Sequence, residues 1–196
     1  MPRFSFNRLL LCYICTLSYV FSQTQKGNIT TGASADVAST FVAATKYNNS
    51  YFLLSVNPGL TYFVINDLGV GGTLNFTMRI DRREQITSFI SEVGPMLRYY
   101  FSKNRKSNKK GFAQLHGGYV TSTFLRKGET SGREGWFIGA MLGFAYFINT
   151  NISLETSLGY NFNKQKDWET THIPLKVGFN IFLSTQKAKS NPFQTD

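Results

Sequence analysis

The sequence predicts an all-β protein, an eight-stranded antiparallel up-and-down transmembrane β-barrel. Three observations predict it. Apolar residues recur with a period of two along most of the chain, in segments of about ten residues separated by polar or glycine-containing breaks, which is the pattern of strands. Only 16% of the 196 residues are charged while 15% are aromatic; soluble domains carry roughly 25% charge, and disordered, collagen-like or coiled-coil chains differ in other ways. No run of 18 apolar residues occurs, so a helical membrane protein is excluded.

The last strand is the clearest. Ile173, Leu175, Val177, Phe179, Ile181 and Leu183 share one face; Pro174, Lys176, Gly178, Asn180 and Ser184 share the other, and only Phe182 breaks the alternation. Leu68 to Ile80 repeats it, with Val70, Leu74, Phe76 and Met78 against Gly69, Gly71, Thr73, Asn75 and Thr77. Ile152 to Phe162 and Trp136 to Ile148 follow, the latter with glycine and alanine on its second face. Phe89 to Phe101 and Phe52 to Val64 alternate less regularly, and Ile29 to Val37 and Phe112 to Phe124 are rich in Thr, Ala and Gly.

The connectors differ in length. Asn66-Asp67 and Asn149-Thr150-Asn151 read as tight turns. Ala38 to Ser50, Asp81 to Ser88, Arg126 to Glu134 and Asn163 to Thr170 read as longer polar loops. Starting from a periplasmic N-terminus, the tight turns fall inside and the four long loops outside, which is the asymmetry of outer-membrane barrels. The connector Lys103 to Lys110 departs from it, being periplasmic yet long and basic.

The N-terminus explains how such a chain leaves the cytoplasm. Arg3 and Arg8 precede an apolar run from Leu9 to Phe21 and the small residue Ser22, the layout of a secretory signal peptide cleaved after residue 22. Cys12 and Cys15 leave with it, so the mature chain has no disulfide, thiol nucleophile or cysteine metal site. The chain thus divides into a signal peptide (1–22), a barrel (23–183) and a polar C-terminal tail (184–196).

Eight alternating strands also suit a soluble, lipocalin-like barrel with an apolar interior. The polar face decides between them. It is mainly Gly, Ser, Thr and Asn, which fits a crowded narrow lumen, whereas a wet exterior is dense in Lys and Glu. The apolar face, with Tyr62, Tyr99, Trp136, Tyr146 and Tyr160 near strand ends, suits lipid flanked by aromatic girdles.

The segment Asn57-Pro-Gly-Leu-Thr-Tyr-Phe-Val-Ile-Asn-Asp-Leu-Gly-Val-Gly-Gly-Thr-Leu74 closely resembles the strand-turn-strand hallmark of the outer-membrane β-barrel domain family common in Bacteroidetes, as does Gly94-Pro-Met-Leu-Arg-Tyr-Tyr-Phe101. The resemblance implies a barrel of the OmpA/OmpX-like type in the outer membrane of a Gram-negative bacterium, and carries no agreed activity. Lys176, Gly178, Ile181 and Leu183 of the last strand resemble the assembly signal read by the barrel-assembly machinery, although the two end positions are aliphatic where aromatics are commoner.

Parity assigns six charges to the lumen: Asp36, Arg79, Glu92, Arg98, Glu155 and Lys176. Charges in a narrow, poorly solvated interior must pair. Adjacent strands offer Arg79 with Glu92, and Lys176 with Asp36 where the last strand closes on the first; Arg98 and Glu155 are placed to meet across the lumen. The reading that follows is a salt-bridged plug inside a barrel with a structural or surface-interaction role, Ala38 to Ser50 and Asn163 to Thr170 being the contact loops.

A narrow channel for ions or small solutes is the alternative. A lipid-modifying enzyme is weaker still, because nucleophilic catalysis needs a His near a Ser and a carboxylate. Only His116, mid-strand and pointing inward, and His172, beside Glu169, Thr170 and Thr171, exist. No metal or cofactor is expected. Gly69-x-Gly71-Gly72 precedes no helix and reads as relief of crowding inside the barrel, not as a nucleotide loop. The basic run Lys103 to Lys110 meets no nucleic acid in the periplasm; it is a solvated turn or a contact for anionic head groups. A closed sheet has no edge, so the barrel is expected to be a monomer in outer-membrane lipid.

Overall fold

Nine strand segments close into a ring of eight strands in the computed structural model, which describes residues 23–36, 51–81, 86–102, 107–126, 129–166 and 168–184. The proposed signal peptide, the loop Ala38 to Ser50, the basic stretch 103–106 and the tail from 185 onward lie outside the described residues. The segments are β1 (Ile29–Asp36), β2 (Tyr51–Ile65), β3 (Leu68–Asp81), β4 (Ile86–Phe101), β5 (Lys109–Arg126), β6 (Glu129–Phe147), β7 (Ile152–Gln165), β8 (Trp168–His172) and β9 (Leu175–Leu183).

Each segment pairs antiparallel with its chain neighbour from β1 to β8, and β9 closes the ring by pairing with both β7 and β1. The segments β8 and β9 are two halves of one eighth strand: Asn161 is opposite His172 and Leu158 is opposite Leu175, with Ile173 and Pro174 between. Proline has no N–H to give the ladder, and here its carbonyl still accepts from Gly159 N at 3.0 Å. The single strand expected from Ile173 onward therefore begins earlier, at Trp168, and is interrupted at the proline.

The alternation seen in the sequence is the inside and outside of the ring. Leu54, Leu60, Leu74, Val93, Leu97, Leu115, Ile138, Leu142, Leu158 and Val177 point outward and are exposed, a continuous apolar exterior. Tyr62, Tyr99 and Tyr146 stand on this face toward one end, Tyr119 and Trp136 toward the other. No helix among the described residues is long and apolar enough to cross a membrane.

The two ends differ. At the lower end β2 and β3 turn through Asn66 and Asp67, where Asp67 takes a left-handed backbone (φ 67°), a conformation aspartate tolerates better than most residues. At the upper end two of the expected loops are hairpins instead. The β5–β6 ladder runs on to Arg126 opposite Glu129, and the β7–β8 ladder to Gln165 opposite Trp168. Arg126 to Glu134 and Asn163 to Thr170 are thus mostly strand. These tips rise beyond the apolar exterior, where residues such as Glu129 to Glu134 are all exposed and neither face shows an apolar period; β6 reaches 19 residues, against the roughly 9 to 11 that span a hydrocarbon core.

Candidate functional site

Eight strands leave an interior only wide enough for side chains, so the candidate site is the lumen and its mouth. At the lower end residues 23–28 fold across the opening: Asp67 N donates to Thr24 O at 2.7 Å, Gly27 N to Phe63 O at 2.8 Å and Phe63 N to Asn28 O at 3.0 Å. Thr24 is fully buried and its hydroxyl donates to Asp67. Lys110, 1% exposed, reaches both, at 2.6 Å from Thr24 Oγ1 and 2.9 Å from Asp67 Oδ1.

Above this cap lies a layer of rings. Phe63, Tyr100, Phe112, Phe147 and Phe182 are buried together with Ala145, with centroid separations from 5.2 Å (Phe147 to Phe182) to 6.4 Å (Tyr100 to Phe182). Phe182, the apparent break in the last strand, keeps strict inward parity and belongs here.

The next layer is ionic. Arg98 Nη1 donates to Glu155 Oε2 at 2.9 Å, with side-chain exposures of 13% and 9%. Arg98 also donates to Gln114 Oε1 at 2.9 and 2.6 Å and to the Tyr100 hydroxyl at 3.0 Å. Tyr100 passes its own proton donation to Glu155 Oε1, also at 3.0 Å. The guanidinium carbon lies 4.5 Å from the centroid of Phe112, a cation–π contact with the ring layer below. A residual space of about 50 Å³ remains above, bordered by Arg98, Glu155, Asn57, Lys176, Met96 and Met141.

Lys176 stands opposite Asp36 in the β1–β9 ladder, and its Nζ donates to Asn57 Oδ1 at 2.7 Å. Glu92 is held by two amides, Asn75 Nδ2 at 2.8 Å and Asn163 Nδ2 at 2.9 Å. The expected Arg79–Glu92 pairing is corrected here. The β3–β4 register puts Asn75 opposite Glu92 and Ser88 opposite Arg79, so Arg79 sits two inward positions higher, at the mouth.

Both histidines face the lumen. His172 is opposite Asn161, with Nε2 at 3.3 Å from Asn161 Nδ2, and its neighbour across the ladder is this amide and not the carboxylate of Glu169. His116 is buried against Phe137 at 5.9 Å. Gly139 leaves room for the cluster, since a Cβ there would lie 2.0 Å from Asn161 Oδ1 and 2.7 Å from the His116 ring. No group of three metal-ligating residues occurs among the described residues.

At the upper end, among the described residues, lies a cavity of about 210 Å³ whose lining includes Arg79, Ser122, Phe124, Asn163, Gln165 and Trp168. Phe124 and Trp168 stack at 6.2 Å and 21°, and the Arg133 guanidinium carbon lies 5.6 Å and 4.9 Å from their centroids.

Sequence parity assigned six charges to the lumen and missed the rings of its lower part, the asparagines that hold Glu92 and Lys176, and the Lys110 cap. The signal for the rings was present, as aromatics on the inward parity at strand ends.

These features define a class: an up-and-down barrel of eight antiparallel strands, apolar outside and filled within. The chain belongs to the DUF3575 family, described as proteins of unknown function, which it matches over residues 11–186. No match was found among curated proteins. Among solved structures it is similar to the N-terminal β-barrel domain of Pseudomonas aeruginosa OprF, at 11% identity and a TM-score of 0.57, covering 81% of this chain and 98% of that one. It is also similar to Neisserial surface protein A (NspA), at 16% and 0.52, covering 79% of this chain and 95% of that one. The outer membrane protein OprG from Pseudomonas aeruginosa gives 14% and 0.52, covering 84% and 100%. At these identities the likeness is one of fold.

Proposed function

We propose that the protein is an integral outer-membrane β-barrel of a Gram-negative bacterium, closed inside, with a structural or surface-interaction role carried by its upper, extracellular end. The observation that carries this reading is the continuous filling of the lumen, from the Lys110–Asp67–Thr24 cap through the ring layer to the Arg98–Glu155 pair. The remaining central space of about 50 Å³ holds little more than a water or two. The apolar exterior supports insertion in lipid, and the closed ring, without a free edge, supports a monomer.

Export by the signal peptide 1–22 and insertion by the barrel-assembly machinery complete the proposal. Lys176, Gly178, Ile181 and Leu183, the residues assigned to recognition, lie on β9, the strand that closes the ring against β1. The reading assigns no catalytic role and no cofactor. What supports it is that His172 meets the Asn161 amide and His116 packs on the Phe137 ring.

The test is heat-modifiable migration of the protein extracted from the outer-membrane fraction, followed by planar-bilayer recording. A mobility shift between boiled and unboiled samples without steady conductance is expected. Steady ion conductance would replace the closed-lumen reading with a channel.

A further inference from the structure

We propose that Gln23 is a modification site: freed as the first residue of the mature chain, it closes to a pyroglutamyl lactam, and this uncharged terminus completes the cap of the lower lumen. The inference rests on the export reading above, in which the signal peptide 1–22 is removed, and adds a covalent step to it.

The cap limits where the mature chain can start. Thr24 is fully buried; its hydroxyl donates to Asp67, its carbonyl accepts from Asp67 N at 2.7 Å, and Lys110 Nζ reaches its Oγ1 at 2.6 Å. Trimming past Gln23 would remove Thr24 and with it a partner of the Lys110 ammonium. Cleavage after the small residue Ser22 spares the cap and leaves a glutamine at the terminus.

Such a glutamine carries its own electrophile. The unprotonated α-amine attacks Cδ of the side-chain amide; the new N–Cδ bond forms as the Cδ–Nε2 bond breaks, and the amide nitrogen leaves as ammonia with the proton that the amine gives up. The exchange of one amide for another needs no oxidant and no co-reactant, and amine and amide are held together on one residue. Gln23 is only half-buried. Asn28 Nδ2 holds it through its main-chain carbonyl, at 3.2 Å, a group that takes no part in ring closure, so the link to the cap is kept.

The charge balance of the cap favours the lactam. Asp67 is its one carboxylate among the described residues, and a single oxygen, Oδ1, already serves both the Thr24 hydroxyl and the Lys110 ammonium, the latter at 2.9 Å. Lys110 is 1% exposed, and Lys26 stands on the same short segment. An α-amino group, with an ordinary pKa of roughly 8, is largely charged at neutral pH. On residue 23 it would bring a further cation next to Thr24, and so toward the buried ammonium, with no second carboxylate to meet it; the lactam N–H is neutral.

The test is the N-terminal peptide of the protein extracted from the outer-membrane fraction, sequenced by tandem mass spectrometry beside a synthetic peptide of the same sequence with an open glutamine, carried through the same work-up. A peptide that starts at residue 23, lighter there by one ammonia, is expected from the protein, with the synthetic peptide mostly open. Edman degradation of the denatured protein should be blocked until pyroglutamyl aminopeptidase exposes Thr24, whereas Gln23→Ala should be read directly from residue 23. A chain that starts at Gln23 with its amide intact, cyclisation no greater than in the synthetic peptide, or a blocked Gln23→Ala chain overturns the lactam and leaves the export reading standing. A chain that starts at any other residue, or retains residues 1–22, overturns both.

Discussion

Arg98 on β4 and Glu155 on β7 meet across the lumen at 2.9 Å, although neither strand neighbours the other in the ring. The pair is a strut between opposite walls. Gln114, Tyr100 and Ser153 complete its hydrogen bonding, the last donating to Glu155 Oε1 at 3.3 Å. A buried ion pair gains little over an apolar filling, but breaking one side leaves a charge with no partner. The same strut that blocks the lumen therefore makes the fold sensitive to single changes within it.

Glu155→Ala and Arg98→Ala should each destabilise the barrel by about 3 to 5 kcal/mol, and the double variant should lose clearly less than their sum. Equilibrium unfolding in urea, with the protein in detergent micelles, measures all three. Strictly additive losses would mean that the two side chains do not act as a pair.

Glu92 behaves differently because its partners are amides. Glu92→Ala strands the Asn75 and Asn163 amides, at about 1 to 3 kcal/mol for each unsatisfied group. Arg79→Ala should not relieve that loss, since Arg79 stands opposite Ser88. Rescue of Glu92→Ala by Arg79→Ala in the same unfolding assay would restore the pairing that the register rules out.

Much of this fold was legible because an apolar exterior repeats one instruction at every second residue, as along Leu68 to Ile80 and Leu175 to Leu183. What escaped was written in other terms. The hairpin tips beyond Arg126 and Gln165 are polar on both faces, so periodicity falls silent there and strands read as loops. Pro174 sat on the expected face, and parity says nothing of its missing N–H. Phe63, Tyr100, Phe112, Phe147 and Phe182 have the right parity to face inward but the composition of an outward face. Cross-lumen contacts such as Asn163 with Glu92 depend on the register of strands that are not neighbours, which parity does not encode.

The outward face should be intolerant of charge in proportion to depth. Leu142, 66% exposed in the middle of the apolar exterior, should cost about 2 to 4 kcal/mol as Leu142→Lys, whereas Ser131→Lys on the exposed tip of β6 should be nearly neutral. Folding yield into lipid vesicles, read as the heat-shifted fraction on a gel, compares them directly. Equal yields would deny that Leu142 faces lipid.

Phe182 tests whether the lumen is closed by one layer or several. It is 2% exposed and packs on Phe63, Tyr100 and Phe147, so Phe182→Ala should destabilise the fold by about 3 to 5 kcal/mol through the cavity it leaves. That cavity lies between two further barriers, the Lys110–Asp67–Thr24 cap below and the Arg98–Glu155 strut above. Phe182→Ala should therefore remain silent in planar bilayers despite its lower stability. The combination with Glu155→Ala and Lys110→Ala removes a member of every layer, and steady conductance is expected only from such a variant. Conductance from Phe182→Ala alone would show that the rings by themselves hold the barrel shut, and would reduce the ionic layers to a stabilising role.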